Sequence, residues 1–392
     1  MNKRATILYI HHGKGLGGAP ISLVNLVREI AAAGFSPVVA FLHDSQAITL
    51  FKDAGLSTLP PLNLMDFPHT KIYWFRWYQA HRMLRCLFDT LKTIFIVAPQ
   101  LFKLVQPEII HLNTSSLLGW GIAAWWLNIP VVWHIREPIA KGYFGLRKKI
   151  IITIIKFCAT KIVAICKSDG IPWQNSNKLC VVYNAVNAKL FASTQTSMTS
   201  APTILFLGGL SKQKGSLFIL EVFQEILRKI PTAKLIIAGD TSIPNCSNPL
   251  RQFSEAKSYD TRCRNLINRL HNSLVLTGPT TAVPELFRKA NVLVFPAGVD
   301  HFARPVIEAG FMHVPAVASL FPQLEELIID KKTGLLLPFG EHKAWVYSLC
   351  QLLQQQELRA RLSTAAYDFC TSKFSLTTQV EKIHTIYETI LG

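Results

Sequence analysis

The residues with the clearest chemical promise are two acids, Asp300 and Glu308, eight positions apart in DHFARPVIEAGFM (300–312). An ionised carboxylate accepts several hydrogen bonds, so a pair of them suits a hydroxyl-rich ligand. The run VLVFP (292–296) just before them reads as a buried parallel strand. Asp300 is therefore expected on the loop after that strand, and Glu308 in the first turn of the next helix. Ligands of open α/β sheets bind at that end of the strands. The competing reading is structural: acids at a helix start complement its dipole.

Two glycine-rich loops add phosphate chemistry. GKGLGGAP (13–20) follows the apolar run TILYI (6–10) and leads into a helix opening at Pro20. Backbone N–H groups at such a helix start face anions well. Gly13, Gly15 and Gly18 also spell G-x-G-x-x-G, with Asp44 closing the second apolar run, which is a nicotinamide-dinucleotide pattern. Asp44 falls late for a ribose contact, and the adjacent Gly17 and Gly18 suit a different loop. FLGGLSKQKG (206–215) is the second loop, and it brings Lys212 and Lys214 to a turn. A lysine there can neutralise a diphosphate leaving group. For Lys212 a plain solvent-facing lysine is the better reading. His134 ends PVVWH (130–134), while His111 and Asn113 lie in IIHLNTSS (109–116), so all three sit at strand ends. A lone histidine is commonly structural, but this placement favours a ligand contact. No D-x-D motif occurs, so no divalent metal is expected.

The elements that must position these residues alternate strand and helix. Strands are expected at 6–10, 37–42, 109–112, 130–134, 162–165 and 179–183, and again at 203–208, 234–239, 274–278, 292–296 and 315–319. Alternation of this kind builds parallel, doubly wound sheets. A Ser/Thr-rich linker, 191–202, separates a domain over 1–190 from a domain over 203–374. The last segment, 375–392, reads as an amphipathic helix returning toward the first domain. Two such domains leave a cleft between the carboxyl edges of their sheets.

Composition narrows the partners. A chain of 392 residues, 49% of them apolar, is large enough for two cores. The net charge of +17 points to anionic partners. No nucleic-acid-binding motif is present, so nucleic acid is not expected among them. Eight cysteines without C-x-x-C spacing read as reduced thiols of the cytosol. The basic start MNKRATILYIHHG has too short an apolar run for a signal peptide. Two stretches, 71–95 and 146–161, mix Lys and Arg with aromatic and branched apolar residues. That composition fits helices lying in a membrane interface, with core helices bearing a basic face as the alternative.

Taken in order, these motifs resemble the retaining GT-B glycosyltransferases of family four, also called glycosyl transferases group 1. GGLSKQKG stands where that family carries G-R-L-x-x-x-K-G, and DHFARPVIEA where it carries its Glu-x7-Glu motif. ELIIDKKTGLLLP (326–338), GGAPIS (17–22) and YNAVN (183–187) also match family segments. The resemblance spans nearly the whole chain. It implies two Rossmann-like domains facing across a cleft, and transfer of a sugar from a nucleotide-diphosphate sugar to an acceptor hydroxyl. Glu308 would then accept from ribose hydroxyls, and Asp300 would lie by the donor sugar with the backbone near Phe302 and Ala303. Lys214 would hold the diphosphate, and Gly17 and Gly18 would let backbone approach it. His134 would touch the sugar near the reacting centre.

The departures are specific. Gly209, within the donor-binding loop, replaces an arginine beside the diphosphate lysine. Asp300 is a methylene shorter than glutamate. Pro322 and Gln323 replace a glycine pair, and His313 replaces a glycine. The implied activity is a metal-independent hexosyltransferase without a cofactor, peripheral on the inner face of the cytoplasmic membrane. Its acceptor would be a glycolipid, polyprenyl-linked or polysaccharide hydroxyl at an anionic membrane surface. A catalytically degenerate nucleotide-sugar-binding protein and a nicotinamide-dependent enzyme are the alternatives.

Overall fold

A computed structural model describes residues 4–13, 18–69, 79–191, 201–241, 255–280 and 282–392. Gly17, the 71–78 portion of the first basic stretch and most of the expected linker lie outside the described residues. The chain divides into two units, Met1–Ala185 with Leu376–Gly392, and Val186–Ser375. The division thus falls a few residues before the expected boundary at 190. Val186 bridges Ser375, and its N–H donates to the carbonyl of Phe374 at 3.1 Å, which ties both ends of the second unit together.

In the first unit the strands are β1 (Thr6–His11), β2 (Ser36–Phe41), β3 (Ser57–Thr58), β4 (Ile109–Leu112), β5 (Val131–Ile135), β6 (Lys161–Ala164) and β7 (Leu179–Val181). Their order is β3-β2-β1-β4-β5-β6-β7, and every pairing is parallel. All residues of β4 and β5 are buried. Continuous burial, rather than alternation, is what a sheet covered on both faces requires. The helix Leu376–Leu391 belongs to this unit and buries Ile383, Ile386 and Tyr387 among residues of β1 and the helix Gly18–Ala32.

The second unit has β8 (Thr203–Phe206), β9 (Lys234–Ala238), β10 (Leu274–Gly278), β11 (Val292–Phe295), β12 (Ala316–Ser319) and β13 (Gly334–Leu337). The order is β10-β9-β8-β11-β12-β13, again all parallel. In both sheets the order reverses beside the first strand, between β1 and β4 and between β8 and β11. Ligand-binding crevices open at such switch points of doubly wound sheets.

Two strands escaped the sequence pattern. β3 has two residues and makes only a short ladder with β2. β13 lies inside the motif ELIIDKKTGLLLP, whose polar residues make the preceding turn. Thr333 Oγ1 accepts from the Ile329 N–H at 2.8 Å, and Asp330 Oδ1 accepts from the Leu336 N–H at 2.9 Å. His313 shows why a glycine suits its position: its φ is +52°, and a ring stack on Tyr367 at 4.0 Å accompanies that conformation.

Gly215 marks the tightest backbone approach near the second switch point. Its φ is +81°, and a Cβ there would lie 1.8 Å from the carbonyl oxygen of Pro296. Gly215→Ala is expected to destabilise the protein by about 2–4 kcal/mol through overpacking and left-handed strain. Chemical denaturation checks this, and a loss below about 0.5 kcal/mol, the range of an inert surface substitution, would contradict it.

Candidate active site

The loops after β8 and β11 meet at the second unit's switch point. Lys212–Lys214 forms a 3-10 turn after β8, and the Gln213 carbonyl accepts from the Gly298 N–H at 2.9 Å. The lysine turn is thereby fixed to the segment that leads to Asp300. Lys214 is exposed as a residue, yet protein atoms crowd its ammonium, and that desolvation lowers its pKa. A reachable cation already stripped of part of its water is well prepared for an anion. Its charge also acts on His301, whose pKa burial pushes down.

Asp300 is exposed on the loop after β11, and its charge likewise reaches His301. His301 Nδ1 bonds the Val299 carbonyl at 2.9 Å, and its ring packs against Phe295 at 5.0 Å. Phe302 and Ala303 are buried, and Ala303 caps the helix Arg304–Phe311. Glu308 lies in the second turn of that helix, not the first as expected. From there it is buried, and its Oε1 accepts from Arg304 Nε at 2.7 Å, one helical turn back. Burial raises the Glu308 pKa, and Arg304 opposes that shift. The first turn holds no acid, so dipole compensation does not explain the pair. Lys214 and Asp300 therefore stand on adjoining loops at one sheet edge, and Glu308 on the helix that the second loop starts.

Gly209 has φ +57°, and a Cβ there would stand 2.4 Å from the Asp240 carbonyl oxygen. Its N–H donates to the Ala238 carbonyl at 2.9 Å. The backbone after β9 occupies the space that an arginine side chain at 209 would leave through. Lys212 is exposed on the turn and is engaged in an interaction of its own.

In the first unit the ends of β1, β4 and β5 carry a buried polar network. His111 Nε2 and His134 Nδ1 are 3.0 Å apart, His111 Nδ1 and the Tyr387 hydroxyl 2.6 Å, and the Tyr387 and Tyr9 hydroxyls 2.8 Å. Arg136 Nε donates to Asn113 Oδ1 at 2.6 Å, and its Nη1 to Asn184 Oδ1 at 2.9 Å. Asn113 Nδ2 lies 3.0 Å from His11 Nδ1. Burial and the Arg136 charge push His111 down to about 3. Burial, His12 and Arg136 push His11 down to about 3, and His134 is also well below its usual range. Gly18 is exposed and opens the helix Gly18–Ala32, two residues before the Pro20 start that was expected.

Beside this network, His12, His69 and Glu137 each offer one ligand atom within 4.8 Å of the others. Among the described residues this is the one group that could hold a metal ion. His69 Nε2 contacts Glu137 Oε1 directly, and Thr114 Oγ1 donates to the same oxygen at 3.2 Å. Burial opposes ionisation of Glu137, but the charges of His69 and His12 and these hydrogen bonds outweigh it and hold the carboxyl at about 2.

Arg136, His11 and Tyr387 were missed in the sequence. Arg136 had a signal, since HIRE ends an otherwise apolar strand. Tyr387 had none, because it reaches His111 from the last helix of the chain.

The described part of the basic stretches also presents an apolar surface. On the helix Ala80–Lys92, Leu84 and Phe88 are each 65% exposed, with Arg82 and Arg85 beside them. Phe95 packs on Trp126 at 5.9 Å, and Trp125 on Phe157 at 4.8 Å. These contacts join the first stretch to the helices Leu118–Trp126 and Leu146–Cys158. No helix of the described residues is long and apolar enough to cross a membrane.

Two Rossmann-like parallel sheets, each with a switch point beside its first strand, are the sheet architecture of GT-B glycosyltransferases. Residues 16–190 match the family model described as Glycosyltransferase Family 4, and residues 192–369 the one described as Glycosyl transferases group 1. The chain belongs to this family, and it is a glycosyltransferase. The capsular polysaccharide biosynthesis glycosyltransferase CapM of Staphylococcus aureus is 24% identical over 328 residues, covering 78% of this chain and 82% of that protein. HepE of Anabaena, solved with UDP-glucose, superposes with a TM-score of 0.75 at 16% identity, over 98% of this chain and 99% of that one. TarM of S. aureus, solved with UDP, gives 0.74 at 12% identity over 98% and 99%.

The buried histidines set a pH dependence. Unfolded histidines titrate near 6.5, whereas folded His11 and His111 stay neutral down to about 3. Between those values the unfolded chain binds more protons, so stability falls as pH drops. The melting temperature is expected to decline from about pH 7 to about pH 5, less steeply in His111→Gln. Calorimetry across that range checks it, and an identical slope in both proteins would contradict it.

Proposed function

We propose that the protein transfers a sugar, with retention of anomeric configuration and without a metal, from a nucleotide-diphosphate sugar to an acceptor hydroxyl at a membrane surface. The observation that carries this reading is the lysine turn tied to the acid-bearing segment after β11. In this reading Glu308 accepts from the ribose hydroxyls, as its burial at a ligand-binding edge favours. Asp300 and the backbone at Phe302 and Ala303 meet the donor sugar, as does His134. Gly17 and Gly18 let backbone approach the donor phosphates, and Gly209 belongs to the same donor-binding loop as Lys214.

The acceptor oxygen attacks the anomeric carbon on the face from which the diphosphate departs. The carbon–oxygen bond to phosphate breaks as the new glycosidic bond forms. The departing phosphate oxygen takes the hydroxyl proton. Lys214 neutralises the charge that develops on the diphosphate, which is the electrostatic contribution a metal would otherwise make. The acceptor is a lipid-linked or polysaccharide hydroxyl, and the exposed apolar helices with their basic neighbours rest on the anionic inner face of the cytoplasmic membrane. The UDP and UDP-glucose bound to HepE and the capsular role of CapM support the donor and acceptor classes.

A panel of labelled nucleotide sugars incubated with membrane extract tests the reaction. Transfer from one donor is expected, unchanged by EDTA and reduced at least about 100-fold in Glu308→Ala. Equal transfer by Glu308→Ala would remove the proposed site. No transfer from any donor would favour the degenerate nucleotide-sugar-binding reading, for which Gly209 is the supporting observation. Leu84→Ser with Phe88→Ser is expected to weaken binding to anionic vesicles about tenfold, with stability nearly unchanged because both side chains are exposed. Unaltered vesicle sedimentation would contradict the membrane assignment.

A further inference from the structure

Arg136 is a buried cation without a carboxylate partner among the described residues. It is 9% exposed, and its hydrogen bonds go to Asn113, Asn184 and, at 3.4 Å, the hydroxyl of Ser22. All three partners are neutral. The neighbouring acid, Glu137, stabilises the cation through its charge, but it makes no hydrogen bond to Arg136 among the described residues and commits its Oε1 to His69 and Thr114. A guanidinium removed from water needs negative charge or full hydrogen bonding, and Arg136 Nη2 has no partner among the described residues.

The hydrogen-bond pattern also fixes the protons on two fully buried histidines. Arginine only donates, so the Asn113 amide must present its oxygen to Arg136 and its NH2 to His11. His11 Nδ1 therefore accepts, and the proton of the neutral ring sits on Nε2. The second chain runs Tyr9, Tyr387, His111, His134. In one direction Tyr9 donates to Tyr387, Tyr387 to His111 Nδ1, and His111 Nε2–H to His134 Nδ1. In the other direction the buried Tyr9 hydroxyl proton has no acceptor among the described residues, which costs about 1–3 kcal/mol. The first direction leaves the His134 proton on Nε2.

His11 Nε2, His134 Nε2 and Arg136 Nη2 are all buried without partners among the described residues. By this assignment all three are donors. We propose that Arg136, His134 and His11 form a phosphate-oxygen binding site at the β1, β4 and β5 strand ends of the first unit. His111, Tyr387 and Tyr9 are positioning residues that hold the His134 proton on Nε2. Gly13 keeps the loop close, since a Cβ there would stand 2.9 Å from His11 Nε2. His134 then donates to its ligand and does not take the acceptor's proton. Two sources share this chemistry, the donor's diphosphate and the phosphate of a lipid-linked acceptor; the first rests on the nucleotide-sugar reading above.

Calorimetric titration of the full-length protein tests the site with two probes, inorganic pyrophosphate and farnesyl phosphate. Arg136→Gln is expected to weaken at least one probe about tenfold or more, as loss of a charged hydrogen-bond donor does. The probe that weakens identifies the source. Glu308→Ala serves as the control: it is expected to lose UDP affinity while keeping pyrophosphate affinity, which separates this site from the nucleotide reading. Equal binding of both probes by wild type and Arg136→Gln would overturn the proposal. Nitrogen NMR of histidine-labelled wild-type protein gives a check independent of any variant. His134 and His11 are expected as the Nε2–H tautomers, and an Nδ1–H resonance for His134 would overturn the assignment.

Discussion

The second unit depends on one close backbone approach, the glycine turn at Gly215 lying against the Pro296 carbonyl. Any side chain at 215 would collide with that oxygen. The contact, with the Gln213–Gly298 hydrogen bond, holds the loop after β8 to the loop after β11. Everything chemical in this unit follows from that attachment. Lys214 sits on the first loop and Asp300 on the second, and Glu308 lies on the helix that the second loop starts. The parallel sheet supplies the rest, because its strand order reverses between β8 and β11 and leaves no covering connection at that edge.

The first unit meets a different constraint, a buried positive charge whose hydrogen-bond partners are all neutral. Burial, with the Arg136 charge adding to it, keeps the surrounding histidines uncharged, and their fixed tautomers leave the network with a set of unpaired donors. The last helix takes part through Tyr387, which couples the end of the chain to β1 and β4. A helix that reads as peripheral in sequence thus helps order the polar end of the sheet.

Much of the fold was legible because buried parallel strands are continuous apolar runs. Eleven strand positions appear near their expected places, and the two that were missed lacked that signature. Ser57–Thr58 is too short and polar, and Gly334–Leu337 follows a turn motif that masked it. The site was partly legible. Lysine, acids and glycine loops carry local patterns, so Lys214, Asp300 and Glu308 stood out. Glu308 was placed one turn early because the helix already begins at Arg304, after the Ala303 cap, which makes Glu308 its fifth residue. Arg136 and Tyr387 matter through tertiary hydrogen bonds at separations no local pattern encodes. Gly209 was read as a lost cation; its left-handed backbone against Asp240 gives that loss a steric cause.

The central claim is that the second unit grips a nucleotide diphosphate through Lys214 and Glu308 together. Calorimetry with UDP and with uridine, on wild type, Lys214→Ala and Glu308→Ala, addresses it most directly. If uridine is the base, Lys214→Ala should lose affinity for UDP alone, and Glu308→Ala for both ligands; guanosine and GDP serve as the parallel pair. Wild-type affinity for every nucleotide in both variants would contradict the account.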